Sequence, residues 1–128
     1  MLSFAYDRKH RVLRVTVSGV YASQDMDMLD RLLIEFVARH GATRSIFDCT
    51  DVEAFAIPES RLIQRAQQPT VMRERVIVAS RLVGGEAARA YGRHRREAGG
   101  KEAAVVNTLE EAYALFRLHD TRFEPVES

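Results

Sequence analysis

Three polar side chains follow a short apolar run near the middle of the chain. They are Asp48, Thr50 and Asp51. The preceding pair, Ile46-Phe47, is typical of a buried strand, so the polar group should sit at that strand's end. Carboxylate and hydroxyl oxygens grouped in this way could bind a polar ligand or hold a cation, although a hard cation needs several more oxygen ligands. The alternative is turn chemistry, in which Asp and Thr accept hydrogen bonds from nearby backbone N–H groups.

A second candidate site lies between two later elements. Ser80 and Arg81 follow an apolar run, and Gly84-Gly85 precedes a helical pattern. Glycines there let backbone N–H groups approach an anion, the helix N-terminus favours negative charge, and Arg81 could bind phosphate or carboxylate through two hydrogen bonds. The segment has neither the Gly-Lys-Ser/Thr of a P-loop nor a GxGxxG pattern. A connecting loop without a ligand is therefore the alternative.

The cysteine and the histidines show no catalytic arrangement. A catalytic thiol needs a nearby base and a lowered pKa, and nothing in the sequence supplies either for Cys49, the single cysteine. The four histidines show neither the order of a triad nor metal-ligand spacing. We therefore predict a buried, unreactive Cys49 and a protein that is not an enzyme and that uses no metal or cofactor.

Basic residues are concentrated in the middle of the chain. They are Arg61, Arg65, Arg73, Arg75, Arg89, Arg93, His94, Arg95 and Arg96. Such a surface could meet an acidic protein, a nucleic acid or an anionic lipid. Tyr91 is the only aromatic residue among them and is placed on an inner helix face, so a platform for stacking bases is missing. We expect no specific nucleic acid, and a solvated helix face is the alternative.

Composition limits the class of protein. The chain has 128 residues, of which 46% are hydrophobic and 29% charged, and its formal net charge is +1. These values predict one globular domain over residues 1–128 with no general attraction to nucleic acids or membranes. One cysteine fits a reducing compartment, the N-terminus lacks a signal-peptide pattern, and no apolar run reaches the ~20 residues that span a bilayer. We expect a cytoplasmic protein without a membrane span.

Hydrophobic periodicity predicts the elements that position these residues. Period-two alternation predicts an N-terminal hairpin, with strands at about 2–6 and 12–18, that ends at Gly19. The second strand has one apolar and one mostly polar side, so we expect one buried and one solvated face. The later predicted elements are a helix over 23–40, a strand over 44–49, a short helix over 58–66, a strand over 75–80, a helix over 86–98, a strand over 103–106 and a helix that begins at Thr108.

The alternation of these elements predicts the fold class. Strands and helices that follow one another in turn favour a mixed, mostly parallel sheet with helices on its faces. The prediction is an α/β fold with an N-terminal β-hairpin and about four helices. Residues 118–128 show no clear period, and we expect an irregular tail there.

Four segments, in this order and spacing, resemble a known family. They are Ser18-Gly19 at the end of the hairpin, Phe47–Phe55, Val76–Ala79 followed by Ala88–Tyr91, and Val105–Ala112. Over residues 2–117 the chain resembles the stand-alone STAS-type domains of the SpoIIAA-like superfamily. In particular, it is similar to a small bacterial group that also resembles the lipid-binding CRAL-TRIO fold. The resemblance implies a SpoIIAA-like fold.

The resemblance also implies a role. STAS domains of the anti-sigma antagonist class are switched when a partner kinase phosphorylates a serine or threonine at the start of the helix after the central strand. The matching position here falls at Ile57-Pro58, which carries no hydroxyl group, and Ser60 follows two or three residues later. The resemblance therefore implies a binding or regulatory module.

Two functions follow from these observations. The leading hypothesis is a noncatalytic, STAS-like regulatory module that contacts an unidentified protein partner. The alternative is a carrier that binds a small anionic or lipid-like molecule in a crevice at the carboxyl ends of the strands. A homodimer is a further hypothesis, because symmetric dimers are common. The candidate binding residues are Asp48, Thr50, Asp51, Phe55, Ile57, Pro58, Ser60, Ser80, Arg81, Gly84 and Gly85.

Overall fold

The strands form one mixed sheet in a computed structural model that describes residues 1–79 and 85–126. The strands are β1 (Leu2–Asp7), β2 (Val12–Ala22), β3 (Arg44–Ala56), β4 (Arg75–Val78), β5 (Ala104–Val106) and β6 (Glu124–Pro125). The helices are α1 (Ser23–His40), α2 (Glu59–Ala66), α3 (Gly85–Glu97) and α4 (Leu109–Leu115).

The spatial order of the strands is β5-β4-β3-β2-β1-β6. Neighbouring strands from β2 to β5 run parallel, whereas β1 pairs antiparallel with both β2 and β6. The predicted α/β class, the N-terminal hairpin and the mostly parallel sheet are confirmed. Within the described residues, no helix is both long enough and apolar enough to cross a membrane.

The two central strands are longer than the sequence pattern predicts. β3 does not end at Cys49 but stays paired with β2 as far as Ala56, opposite Ala22. Two register shifts flank the pair Ser18-Gly19, and at each shift β3 advances one residue further than β2. Such bulges absorb the turn-forming residues of β3 without ending the ladder. The prediction that Gly19 ends its strand is wrong, because glycine adopts its φ of +76° inside β2 without strain.

Helix α1 covers one face of the sheet. The apolar side of β2 and the buried stripe of α1 form a core cluster whose main members are Leu13, Val15, Val17, Leu29, Leu33 and Phe36. The opposite face is covered by α4 and the segment after it. Its main members are Val12, Ile46, Val76, Val78, Ala112, Phe116 and Leu118.

The prediction that the second face of β2 is solvated is therefore wrong. Arg14 points to this face, and its Nη1 donates a hydrogen bond of 2.8 Å to the Tyr113 hydroxyl. Its guanidinium carbon lies 4.5 Å from the centroid of the Phe123 ring. A long arginine side chain can cover apolar surface in this way while its charge stays satisfied, so a polar residue in the pattern did not mean a solvated face.

The C-terminal segment, for which the prediction was an irregular tail, packs against the sheet and contains the two-residue strand β6. β6 pairs with β1, and Leu118 is buried. The anchor is Asp7, which is only 1% exposed. One carboxylate oxygen accepts a hydrogen bond of 3.0 Å from the His10 backbone N–H, and the other accepts one of 2.9 Å from the Arg122 backbone N–H. Residues 127–128 lie outside the described residues.

These contacts set the charge state of Asp7. Burial by itself raises the pKa of the carboxyl, but hydrogen bonds from His10 and Arg122 outweigh it, so the pKa lies below its ordinary value of 3.8. The His10 Nδ1 atom, 3.1 Å from the second carboxylate oxygen, adds to the same effect. Asp7 is therefore a buried anion that links the hairpin turn to the C-terminal segment.

Replacing Asp7 with asparagine (Asp7→Asn) keeps the shape of the side chain but removes its charge. We expect the free energy of unfolding at neutral pH to fall by about 1–3 kcal/mol, because two backbone N–H groups lose a charged acceptor that is itself buried. Urea denaturation measures this change. The matched control is Asp120→Asn at an exposed position, which should change the free energy by less than about 0.5 kcal/mol.

The difference in stability between the natural protein and Asp7→Asn should also depend on pH. Because the pKa of Asp7 is lower in the folded chain than its ordinary value of 3.8, its ionisation stabilises the fold above that value. This contribution is lost as the pH falls through the folded-state pKa. The difference in unfolding free energy between the natural protein and Asp7→Asn should therefore shrink below about pH 4. A difference that stayed constant down to about pH 3 would contradict this account.

Candidate functional site

A cavity of about 140 Å³ lies between the sheet and the helices α1, α2 and α3. It is partly enclosed, and most of its wall is apolar. The apolar side chains on its wall are Val17, Met26, Leu29, Leu33, Phe47, Phe55, Ile57, Leu62, Ile77, Ala87 and Ala88. An apolar protein cavity of about 150 Å³ is large enough to hold benzene, so this space suits a small organic molecule.

The local sequence explains why this side of the sheet is not filled. Helix α3 turns Ala87 and Ala88 toward the cavity, and such small side chains leave space that a leucine would occupy. Helix α2 is only eight residues long and contributes Leu62, whereas its neighbour Ile63 is 37% exposed. Only α1 packs a continuous apolar stripe against this face of the sheet.

A few polar groups line the cavity. One is an ion pair, in which Arg65 Nε donates a hydrogen bond of 2.7 Å to Asp30 Oδ2. Burial opposes the charge of Arg65, but the hydrogen bond to Asp30 outweighs it and raises the pKa of the guanidinium. The others are Tyr21, Cys49, Thr70, Arg75 and Tyr91. An apolar wall with a small number of polar groups is typical of a ligand site.

Tyr21 closes part of the cavity together with Phe55. The two rings meet edge to face with their centroids 5.6 Å apart, an arrangement that aromatic pairs prefer. They meet because the β2–β3 pairing continues past the bulges, where Tyr21 stands opposite Phe55. Burial is the main cause of a raised pKa for Tyr21, so its hydroxyl stays protonated.

Cys49 also lines the cavity. Burial, with a smaller contribution from the charge of Asp48, raises the pKa of its thiol to about 12. A nucleophilic cysteine requires the opposite shift. The thiol therefore acts as a small apolar group in the wall.

The structure separates the predicted binding residues. Phe55 and Ile57 lie on the cavity wall. Pro58 directly precedes α2 and Ser60 lies in its first turn, and both are exposed. Gly85 is the first residue of α3 and is buried. The rest of the predicted anion loop, Ser80, Arg81 and Gly84, falls outside the described residues.

The predicted polar group on β3 lies away from the cavity. Asp48 Oδ1 accepts hydrogen bonds from the backbone N–H of Thr50, at 3.1 Å, and from its hydroxyl. Thr50 and Asp51 are exposed. These contacts are the local type expected of turn chemistry, here within a bulged strand. Among residues 1–79 and 85–126, no group of three or more His, Cys, Asp or Glu side chains is arranged to hold a metal ion.

Sequence reasoning missed most of the polar residues of the cavity. Tyr21 follows the glycine that was expected to end its strand, and Thr70 belongs to no motif. Tyr91 was predicted to lie on an inner helix face, but not as part of a site. Arg75 offered one signal. It alternates with the apolar Ile77 on the face of β4 that lines the cavity, so a cation stands in a strand that otherwise reads as buried.

Comparison with known proteins identifies the fold. No protein-family model and no curated protein matches the sequence. A solved structure that matches is an uncharacterized protein from the DUF3478 family, with a SpoIIAA-like fold, from Shewanella loihica PV-4. The two chains are 12% identical, and the match has a TM-score of 0.58 and covers 91% of this chain and 92% of that one. The chain has a SpoIIAA-like fold. The family resemblance predicted from the sequence is thus confirmed at the level of the fold.

The raised pKa of Cys49 predicts slow alkylation. In the folded protein at mildly alkaline pH, we expect iodoacetamide to react on the order of a hundredfold more slowly than in concentrated urea, because little thiolate forms. The chain has a single cysteine, so the mass of the intact protein reports this reaction alone. Equal rates in the folded and unfolded protein would show that the thiol is neither buried nor shifted.

Proposed function

We propose that this protein is a noncatalytic binding module whose cavity holds a small, largely apolar molecule. The observation that carries the proposal is the apolar cavity of about 140 Å³ between the sheet and three helices. This is the carrier hypothesis of the sequence analysis, with the ligand placed between a face of the sheet and the helices instead of at the carboxyl ends of the strands. Phe55 and Ile57, two of the predicted binding residues, support it because both line the cavity.

The packing around the cavity supports the same function. The apolar side chains that face this space of about 140 Å³ lack some of the van der Waals contacts that side chains in a close-packed core make. A ligand of matching shape would supply part of the missing contacts. Substituting a larger side chain for Ala88 would do so without any ligand.

The chemistry of the wall supports binding without catalysis. In the described part of the chain, no histidine lines the cavity, and its only carboxylate, Asp30, is held in the ion pair with Arg65. The thiol of Cys49 stays protonated. A nucleophile next to a general base, which covalent catalysis requires, is therefore not part of this wall.

The hypothesis of a regulatory protein partner stays a prediction. Among the residues of the predicted contact surface, Pro58 and Ser60 are exposed just beyond the carboxyl end of β3, whereas Thr50 and Asp51 are exposed in the middle of the strand. A ligand in the adjacent cavity would touch Phe55 and Ile57 and could change this surface, so the two functions are compatible. The homodimer and the cytoplasmic location also stay predictions.

Toluene is a probe of the right size for the cavity. We expect saturable changes in the amide NMR spectrum, centred on Ile77 and Ala88, when toluene is added to the protein. In the variant Ala88→Leu the affinity should fall by about tenfold or more, because the added side chain fills the space that the ring would occupy. The amide shifts of each variant, followed during titration, give the affinity.

The matched control is Ala114→Leu, the same change at an exposed position of α4 on the opposite face of the sheet. It should alter toluene affinity by less than about twofold. Urea denaturation of both variants verifies that each is folded. The proposal fails if toluene shows no saturable binding, or if Ala88→Leu and Ala114→Leu bind it equally well.

A further inference from the structure

A second, basic space adjoins the cavity. This groove of about 300 Å³ is lined on its charged side by Arg73, Glu74, Arg75, Arg95, Lys101 and Glu102. Thr70 and Arg75 belong to the walls of both the groove and the apolar cavity. These two residues therefore stand at the junction where an apolar space meets a positively charged one.

Arg75 is a half-buried cation at this junction, and within the described residues it has no acidic partner. Its Nη2 donates to the backbone oxygen of Lys101, at 3.3 Å, and the guanidinium also forms a hydrogen bond with the Tyr91 side chain. Over residues 1–79 and 85–126, no carboxylate lies within ion-pair distance of it, whereas Arg65 is paired with Asp30. A half-buried guanidinium without a counter-charge is costly to maintain, and an anion would offset this cost.

Other cations around Arg75 increase the local positive charge. Burial lowers the pKa of its guanidinium, and the charges of Arg95 and Arg65 lower it further, although Tyr91 beside it acts in the opposite direction. Arginine nevertheless stays protonated at neutral pH. The result is a concentrated positive potential at the junction, which attracts an anion.

The junction is held in place by Arg95. Its Nη1 donates hydrogen bonds to the carbonyl oxygens of Ala66, at 2.8 Å, and Gln68, at 2.7 Å. The guanidinium lies directly over Gly100, where an added Cβ would come within 2.5 Å of its Cζ. Arg95 thus fixes the chain just before Thr70 and acts as a positioning residue for the junction.

We propose that Arg75 and Thr70 bind the carboxylate of a small organic acid whose apolar body occupies the cavity. This proposal rests on the proposed function and names the class of ligand. A guanidinium binds a carboxylate through two parallel hydrogen bonds, and a hydroxyl can donate a third. The cavity limits the apolar body to about the size of a six-carbon ring, so aromatic and short aliphatic monocarboxylates fit the class.

Benzoate and benzamide test this inference, because they share a ring but only benzoate carries a charge. We expect the natural protein to bind benzoate about tenfold or more tightly than benzamide, as a charge-assisted hydrogen bond predicts. In Arg75→Gln this preference should disappear, and toluene is titrated alongside as a probe without a polar group. NMR titration of all three probes gives the affinities.

Arg93→Gln is the matched control. Arg93 is exposed on α3 and lines neither space, so the same loss of charge there should leave the preference for benzoate within about twofold. Arg75→Lys keeps the charge but cannot form the bidentate hydrogen bonds of a guanidinium, so it should retain part of the preference for benzoate over benzamide. This variant also provides the test if Arg75→Gln does not fold.

A measurement on the natural protein locates the ligand independently of any variant. Nuclear Overhauser contacts should join the ring protons of bound benzoate to the methyl groups of Ile77 and Ala88. The inference is overturned if those contacts are missing, if benzoate and benzamide bind equally, or if Arg75→Gln keeps the preference. Should toluene still bind in that case, the proposed function stands without the carboxylate. If none of the three probes binds, the proposed function fails as well.

Discussion

The parallel pairing of β2 with β3 fixes the positions of most other elements. Its register starts with Val12 opposite Arg44 and continues, through two shifts, for the whole length of β2. Because side chains alternate along a strand, this register sends Leu13 and Phe47 to the α1 face and Val12 and Ile46 to the α4 face. The bulges let the two strands extend beyond β1 and β4, and this extension brings Tyr21 and Phe55 to the cavity.

The two faces of the sheet are packed to different degrees. The α4 face is filled, since Val12, Ile46, Val76 and Val78 are at most 1% exposed. The other face is covered by three helices, and only α1 presents large side chains along its length. The cavity is therefore a consequence of which residues α2 and α3 turn inward, and it lies where ligand contacts would complete the packing that the chain omits.

The buried charges of this protein differ in whether the fold supplies them with a partner. Asp7 is surrounded by hydrogen-bond donors, and Arg65 has Asp30, so each of these charges is satisfied within the fold. Arg75 contacts the Lys101 carbonyl and the Tyr91 side chain, and no carboxylate of residues 1–79 and 85–126 lies within ion-pair distance of it. Charges that a fold satisfies internally contribute to its structure, whereas a charge left without a counterpart next to a cavity is a candidate for binding.

The sequence by itself determined the class of fold and the approximate place of most elements. Apolar periodicity is a local property, so the hairpin, α1 and the parallel strands could be predicted from it. The ends of elements were harder to place. Turn-forming residues such as Asp48 and Gly19 suggested breaks that bulges within the long β2–β3 ladder made unnecessary, because pairing with a neighbouring strand outweighed local preference.

Only the tertiary structure decided where the candidate site lies. The cavity joins Val17, Met26, Phe55 and Ala88 with Arg75, residues from five elements that share no motif or spacing. Likewise, the tail became ordered through the contact of Arg122 with Asp7, 115 residues away in the chain. Such contacts depend on how the elements pack against one another and not on any local pattern. The sequence could therefore predict an α/β module that binds a protein partner or a small molecule, but it could not predict the cavity that would hold a ligand.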